Sequence, residues 1–216
     1  SEIAMPDIHY FHVPYRYPEY VNVHAIDLNS LSSKVNSKAV VVESSQNMYM
    51  SSENIYITYT EYINEYEIRQ EILEDIMASY LTDEDKKLIK KIRDADLDIL
   101  SQYEKEQKIS EIINSYVYYL SEDKRDEIED EVEKKLKEKL EKYEHLEFTV
   151  INKISVDKTG ISVEANGKVP GRIINQFSMD EYDDNLRIAT TLSAKWSSIV
   201  ESRTESTNNV YVLDAD

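Results

Sequence analysis

The spacing of apolar residues in this chain changes twice, and these changes constrain the fold more than any other feature. In residues 7–62, apolar and β-branched residues form short alternating runs separated by Asn and Ser clusters, which predicts strands. In residues 65–146, they recur every three or four positions, which predicts amphipathic helices. After residue 147 the alternating pattern resumes. We therefore expect an α+β protein in which an all-helical insertion interrupts a β domain.

The predicted boundaries place a first β part at 1–64, the helical insertion at 65–146 and a second β part at 147–216. The predicted strands are 8–13, 20–28, 38–43, 47–51, 54–60, 148–156, 161–165, 172–177, 186–191 and 210–213. All three glycines lie within residues 160–171. Tight turns often need a residue with left-handed backbone, which glycine adopts most easily. Because the other segments contain no glycine, Asn and Asp are expected at some of their turn positions.

Four apolar stripes in the middle segment predict three to four helices. The stripes are Ile68, Ile72, Ile76 and Tyr80; Leu88, Ile92 and Ile99; Ile109, Ile112, Ile113, Tyr116 and Leu120; and Ile128, Val132, Leu136, Leu140 and Tyr143. Thr82 and Ser121, each followed by acidic residues, have the pattern of helix N-caps, and Thr82 that of a capping box. The last stripe is narrow and densely flanked by charges. It indicates either a small bundle lying on the β domain, which we favour, or a coiled-coil arm that binds another subunit.

Composition excludes several classes of protein. The chain has 216 residues and a formal net charge of −18, which repels phosphate backbones, so nucleic acid is not an expected partner. It contains no apolar run of the roughly 18 residues that a membrane span needs. With no cysteine, disulfides and thiolate metal sites are excluded. We expect no cofactor, because no phosphate-binding glycine loop or metalloprotease helix is present.

A weak internal repeat runs through the two β parts. Asn54, Asn185 and Asn209 each precede an alternating apolar run, so a turn residue introduces a strand at every recurrence. Repeats of this kind are typical of propeller blades. The same pattern also fits an ordinary antiparallel sheet, and the repeat alone does not decide between the two.

One segment is more specific. Residues 168–191, KVPGRIINQFSMDEYDDNLRIATT, resemble the signature segment of secreted archaeal and bacterial proteins with a C-terminal β-propeller domain distantly related to WD repeats. Residues 52–58 (SENIYIT), Trp196 and residues 208–214 (NNVYVLD) agree with this resemblance. It implies antiparallel propeller blades and an extracellular or cell-surface location.

The predicted β parts are short for a closed propeller. About 130 of the 216 residues lie in them, whereas a blade takes roughly 40 to 45 residues and a ring needs at least about four blades. We therefore expect a partial propeller of about three blades with two open blade faces. Exposed apolar faces favour association, so either two chains form a homodimer or the helices dock across an open blade edge, with the dimer slightly preferred.

Asp180, Glu181 and Arg187 in the signature segment are the candidate interaction residues. The pattern predicts a strand at 172–177, a tight connection at 178–181 and a second strand, so Asp180 and Glu181 lie at a blade corner. Asp at a turn most often bonds its own backbone, and we favour that structural role over a ligand site at the blade edge.

Two weaker signals concern metals. His9, His12 and His24 are possible ligands, but residues three apart on a strand point to opposite faces, which argues against a shared metal. The run from Asp94 to Asp98 has the spacing that opens an EF-hand, but the Gly and Glu needed at its sixth and twelfth positions are replaced by Ile99 and Lys105. An acidic linker is the better interpretation.

The leading functional hypothesis is a non-catalytic extracellular or cell-surface interaction module whose partner is a protein or cell-envelope component. One alternative is a carbohydrate-active hydrolase that uses two of the 43 acidic residues. Another is a purely structural component of the cell envelope. No arrangement of residues in the sequence favours catalysis.

Overall fold

The computed structural model describes residues 7–11, 15, 17–29, 35–44, 47–96, 99–157, 160–194 and 205–214. The described residues form two compact units. The β unit contains the sheets on both sides of the helical segment, and the helical unit comprises residues 63–144. Trp196, one of the residues that carry the resemblance, lies outside the described residues.

The first sheet of the β unit, the N-terminal sheet, has three strands in the order β1-β3-β2. They are β1 (Asp7–Tyr10), β2 (Pro18–Ala25) and β3 (Asn36–Glu43). β2 and β3 are antiparallel, but β1 runs parallel to β3. The expectation of purely antiparallel blades is therefore wrong for β1. The alternating pattern predicts a strand there but not its neighbour, and β1 pairs with β3 at the sheet edge, not with β2, the next strand in the sequence.

The central sheet is a four-stranded antiparallel meander in the order β4-β5-β6-β7. Its strands are β4 (Asn47–Met50), β5 (Asn54–Tyr62), β6 (Glu147–Asp157) and β7 (Gly160–Pro170). β5 and β6 pair continuously, from Asn54 opposite Ser155 to Tyr62 opposite Glu147. The two strands that flank the helical segment in the sequence are thus direct neighbours in the sheet.

The C-terminal sheet is antiparallel, with β9 between its two neighbours. Its strands are β8 (Met179–Tyr182), β9 (Asn185–Leu192) and β10 (Thr207–Asp214). A two-residue turn joins β8 to β9, and both of its residues have left-handed backbone, with φ of 51° at Asp183 and 56° at Asp184. The expectation that Asp takes such turn positions in place of glycine is confirmed.

Two details predicted for the signature segment are wrong. The expected strand at 172–177 is irregular and contains a short 3₁₀ turn, Gln176–Ser178. The Asn175 side chain accepts the Phe177 backbone N–H and so caps this turn, while Ile174 and Phe177 are exposed, so the apolar alternation here does not mark a buried strand face. The corner lies at 183–184, not at 178–181, which places Asp180 and Glu181 within β8.

The three sheets form a stack with the central sheet in the middle. On one face of the central sheet, Ile55, Ile57 and Ile154 pack with the buried face of the N-terminal sheet. On its other face, Tyr56, Ile151 and Val169 pack with Met179, Leu186 and Ile188 of the C-terminal sheet. Because successive strand residues point to opposite faces, β5 contributes to both cores. Face-to-face stacking of small sheets is how propeller blades pack.

The helical unit contains four helices around one core. They are α1 (Glu65–Met77), α2 (Asp83–Arg93), α3 (Gln102–Tyr119) and α4 (Glu122–Leu140). The stripe of α4, which includes Val132 and Leu136, is buried in this core, so the other helices already cover the seam that a coiled-coil arm would need. The predicted second stripe is partly wrong, since α2 buries Ile89 and Ile92 while Leu88 is exposed, and Ile99 lies beyond the end of α2.

The helix starts differ in how they are capped. The Thr82 hydroxyl accepts the Asp85 N–H, as predicted, but the Thr82 N–H donates to the Tyr116 hydroxyl instead of completing a capping box. The complete box lies at α3, between Ser101 and Glu104. Ser121 occupies the N-cap position of α4, but its hydroxyl makes no capping hydrogen bond to the residues described around it. Among the helices described, none is long and apolar enough to cross a membrane.

Candidate interaction surface

Asp180 and Arg187 lie opposite each other on β8 and β9 and form an ion pair. The Arg187 guanidinium also lies over the Tyr182 ring, 4.9 Å from the ring centroid. An arginine held by a carboxylate on one side and an aromatic face on another loses little further conformational freedom when it binds a partner. Both charged residues are among the predicted interaction residues, and the strand register brings them together.

Two exposed valines extend this cluster onto the edge strand. Val212 lies opposite Arg187 in the register, and Val210 lies opposite Ala189. They are 63% and 70% exposed, and Tyr182 is exposed as well. We call Asp180, Tyr182, Arg187, Val210 and Val212 the outer C-terminal face, because they lie on the side of the C-terminal sheet that points away from the central sheet.

Glu181, the third predicted residue, lies on the opposite side of β8 and contacts the central sheet. Its Oε1 accepts a hydrogen bond of 2.9 Å from the Asn54 side chain, and its backbone N–H donates to the Tyr49 hydroxyl at 3.1 Å. The Ser155 hydroxyl donates to Asn54 at 2.6 Å and completes the chain of contacts. Strand alternation separates Glu181 from its two neighbours in sequence, and its contacts join two sheets.

Tyr56 lies in the same contact between the central and C-terminal sheets. Its side chain is 2% exposed. Burial raises the pKa of Tyr56, and the nearby Glu181 carboxylate raises this pKa further. The Tyr56 hydroxyl therefore remains neutral over the physiological range, as suits a packing residue.

The opposite end of the stack presents a second exposed face, which was not predicted from the sequence. Tyr10, Val41 and Tyr20 form one row across the three strands of the N-terminal sheet, and Ile8, Ala39 and Asn22 form the next. The side chains of Ile8, Tyr10 and Tyr20 are exposed. We call these two rows the outer N-terminal face. Its only signal in the sequence is the alternation of Tyr with smaller residues.

His9 and His24 lie on opposite faces of the N-terminal sheet. The strand register places His9 beside Val40, on the buried face of the N-terminal sheet, and His24 beside Ser37, on the other face. His24 Nδ1 shares a hydrogen bond of 2.7 Å with the Ser37 hydroxyl. His12 lies outside the described residues. Within the parts of the chain that the structure describes, no three His, Asp or Glu side chains are grouped to hold a metal.

The EF-hand-like run forms part of the linker between α2 and α3. The Lys105 ammonium, which stands at the position of the expected calcium-binding Glu, donates to the Arg93 carbonyl at 3.1 Å and also to the Ala95 carbonyl. A cation therefore holds the backbone at the end of α2, in the sequence position where an EF-hand has its calcium-binding Glu. Asp98 lies outside the described residues.

A shallow groove of about 340 Å³ runs between α1 and α4. Asp75, Lys124, Glu127, Glu131 and Lys135 contribute its charges. Lys124 pairs with Glu127 and Lys135 pairs with Glu131. Because both lysines are already paired within their own helix, the groove is a weaker candidate than the two sheet faces.

These sheets define a class of protein, a domain built of stacked blade-like sheets with a helical segment between two strands of one blade. The family model of the beta propeller domain matches residues 1–216, so the chain belongs to that family. Domains of this kind generally mediate protein interactions.

Two archaeal relatives are similar over most of this chain. An uncharacterized protein of Methanocaldococcus jannaschii is 30% identical over 213 residues, which cover 94% of this chain and 33% of the relative. An uncharacterized protein of Archaeoglobus fulgidus is 30% identical over 172 residues, which cover 77% of this chain and 24% of the relative. The chain thus spans a third or less of each relative's length. No solved structure matches this chain significantly.

Proposed function

We propose that this chain is a non-catalytic interaction module, extracellular or at the cell surface, that binds a protein or cell-envelope component through its outer C-terminal face. The observation that carries the proposal is the exposed cluster of Arg187, Asp180 and Tyr182 beside Val210 and Val212. Arginine and aromatic residues beside apolar ones are the groups that supply most of the binding energy at protein interfaces.

The arrangement of these groups suits recognition better than proton transfer. The Asp180 carboxylate is paired with Arg187, and the guanidinium stacks on Tyr182, so the charges are oriented and compensated before a partner arrives. Preorganised groups reduce the ordering cost of binding. The valines provide apolar area that is lost from water when a partner covers it.

The proposed location rests on the resemblance of residues 168–191 to secreted propeller proteins. If the chain is displayed outside the cell, intact cells that produce it should react with a membrane-impermeant lysine reagent at exposed lysines such as Lys168. A cytosolic marker protein must stay unlabelled in the same cells. Labelling that requires cell lysis would contradict the extracellular assignment without affecting the binding surface.

Co-sedimentation with purified cell envelopes tests the binding surface. The wild-type chain should bind saturably, and the double variant V210K/V212K should bind at least about tenfold more weakly, because two lysines would be buried beside Arg187. Both valines are exposed, so the variant should fold.

The matched control is the double variant I174K/F177K. It also replaces two exposed apolar residues of the β unit by lysine, but it lies outside the three strands of the C-terminal sheet. The control should bind as the wild type does. Equal loss in both double variants, or no loss in V210K/V212K, would show that the outer C-terminal face is not the binding surface.

A further inference from the structure

We infer that Tyr118 and Tyr119, the last two residues of α3, bind arginine side chains of a basic partner protein. The two side chains are 76% and 85% exposed. Their ring centroids lie 5.4 Å apart and their planes meet at 85°, so they form an edge-to-face pair with faces open to solvent. This pair belongs to the helical unit, so the inference concerns a second site and does not depend on the proposed function.

Packing within the bundle does not explain the two exposed rings. Tyr116 and Val117, which precede them in α3, pack against the core of the helical unit, whereas Tyr118 and Tyr119 lie outside it. Tyrosine also favours a helix less than Ala, Glu or Lys does. Single exposed aromatic residues are common on protein surfaces, but two in contact form a patch, and tyrosine is among the residues that contribute most at protein interfaces.

The α1–α2 and α3–α4 connections lie at the same end of the bundle as this pair. The Thr82 backbone N–H donates to the Tyr116 hydroxyl at 3.4 Å, so the start of α2 lies beside the end of α3. Ser79 and Lys124 line one groove, so the end of α1 lies beside the start of α4. Two helices therefore end, and two begin, at the end of the bundle that carries the tyrosine pair.

This end of the bundle is negatively charged. Residues 79–87 and 116–127, which form it, contain seven acidic and four basic residues, a local net charge of −3. The partial charges of two helix C-termini and two N-termini oppose each other there, and the last turns of α1 and α3 contain no basic residue. Hydrogen bonds from Thr82 and Tyr116 lower the pKa of Asp85, so its carboxylate stays charged near neutral pH. This charge favours a cationic partner.

Arginine fits this combination of groups better than lysine. Its planar guanidinium stacks on aromatic faces while it donates hydrogen bonds to carboxylates, whereas the lysine ammonium is compact and more strongly hydrated. The C-terminal sheet already contains such a contact, since the Arg187 guanidinium lies over the Tyr182 ring and pairs with Asp180. Among the residues that the structure describes, no cation lies over either ring of the Tyr118–Tyr119 pair. The partner would supply that cation.

Fluorescence anisotropy with a labelled peptide of alternating Arg and Gly tests the site on the full chain. The wild type should bind the peptide saturably, and added salt should weaken binding because it screens the attraction. Y118A/Y119A should bind at least about fivefold more weakly, because the aromatic faces are lost. The matched control Y66A/Y103A removes two other exposed tyrosines of the helical unit and should bind as the wild type does.

A peptide of alternating Lys and Gly separates the aromatic contact from simple attraction between charges. The wild type should bind it more weakly than the Arg peptide, and this difference should disappear in Y118A/Y119A. The comparison in the wild type needs no variant, so it does not depend on how a variant folds. Equal binding of both peptides by the wild type, or equal binding of the Arg peptide by the two double variants, would overturn the inference. Neither result affects envelope binding by the outer C-terminal face.

Discussion

Asn54 donates a hydrogen bond to Glu181 across the contact between the central and C-terminal sheets, although 127 positions separate the two residues in the chain. Asn54 also accepts from Ser155 on the neighbouring strand β6. One side chain at the start of β5 thus links two strands of its own sheet to a strand of the next. Contacts of this kind fix how one sheet lies on another, which apolar packing alone specifies less strictly.

We predict that N54A lowers the free energy of unfolding of the β unit by about 1–3 kcal/mol, because it removes the hydrogen bonds of Asn54 to Glu181 Oε1 and to the Ser155 hydroxyl in a site where Asn54 is 6% exposed. Urea unfolding followed by tyrosine fluorescence measures the change. The control N166A, at an exposed position of β7, should cost less than about 0.5 kcal/mol. Equal effects would show that the contact between the sheets does not depend on Asn54.

Gly171 is expected to be irreplaceable. Its backbone φ is +87°, and an added Cβ would lie 2.8 Å from Thr190 Oγ1 and 2.9 Å from the Thr191 carbonyl oxygen. G171A should therefore destabilise the β unit by about 2–4 kcal/mol through left-handed strain and overpacking. G167A is the matched control, since an added Cβ there meets no atom within 4 Å. Thermal unfolding of both variants tests this prediction. A G171A protein as stable as G167A would refute it.

Lys105 is expected to stabilise the helical unit through its ammonium. The side chain is 7% exposed and donates to the carbonyls of Arg93 and Ala95. K105M keeps the apolar stem but removes the donor, so it should cost about 1–3 kcal/mol. K108M changes an exposed lysine of the same helix and should change stability by less than about 0.5 kcal/mol. Chemical denaturation followed by circular dichroism compares the two variants.

The helix starts at Ser101 and Ser121 provide a matched pair. Ser101 forms a complete capping box with Glu104, whereas the Ser121 hydroxyl makes no capping bond to the described residues. S101A should therefore cost about 1 kcal/mol, and S121A should cost clearly less. Amide hydrogen exchange in the first turns of α3 and α4 locates each effect. An increase in exchange at α4 in S121A that exceeds the increase at α3 in S101A would contradict the assignment.

Glu104 makes the capping box of α3 sensitive to acid. Hydrogen bonds from the Ser101 hydroxyl and backbone N–H lower the pKa of Glu104 below its ordinary value of 4.5. Because the folded-state pKa is depressed, the charged carboxylate stabilises the helix start at pH values above the ordinary pKa. This contribution is lost as the pH falls through the folded-state pKa. NMR titration should give a midpoint below 4.5 in the wild type.

The variant S101A should move that midpoint back towards the ordinary value, because it removes the hydroxyl donor. E104Q can keep the box through its amide, so its stability should not show the acid-dependent loss. A Glu104 midpoint that does not differ between the wild type and S101A would mean that the hydroxyl bond does not form in solution.

The positions of most strands and helices were predictable because the apolar residues on the buried face of a strand or helix recur at regular intervals in the sequence. Strands such as β5 and β9 begin at Asn54 and Asn185, as the repeat predicted, while Asn209 lies inside β10. The α4 stripe was correct because α4 has one buried face over its whole length. The irregular segment at 172–177 was predicted wrongly because only Ile173 of its apolar residues is buried, whereas Ile174 and Phe177 are exposed.

The candidate surface was only partly predictable. The sequence pattern predicted Asp180, Glu181 and Arg187 as interaction residues. Because the corner was predicted too early in the sequence, the start of β8 was wrong, and the sheet face of each residue could not be assigned. The outer N-terminal face depends on β1 pairing with β3, a contact between strands that are not consecutive. The link from Asn54 to Glu181 has no local signal at all, because it arises only when two sheets stack.

The helical segment leaves the central sheet after Tyr62 and returns at Glu147, and these two residues are paired partners on adjacent strands. The whole segment therefore connects two adjacent antiparallel strands, as the loop of a β-hairpin does. Gains, losses or exchanges of this segment during evolution would therefore leave the strand register untouched, and a short turn could replace it in the laboratory. Related propellers could then have different inserted segments at the same junction while keeping the same blades.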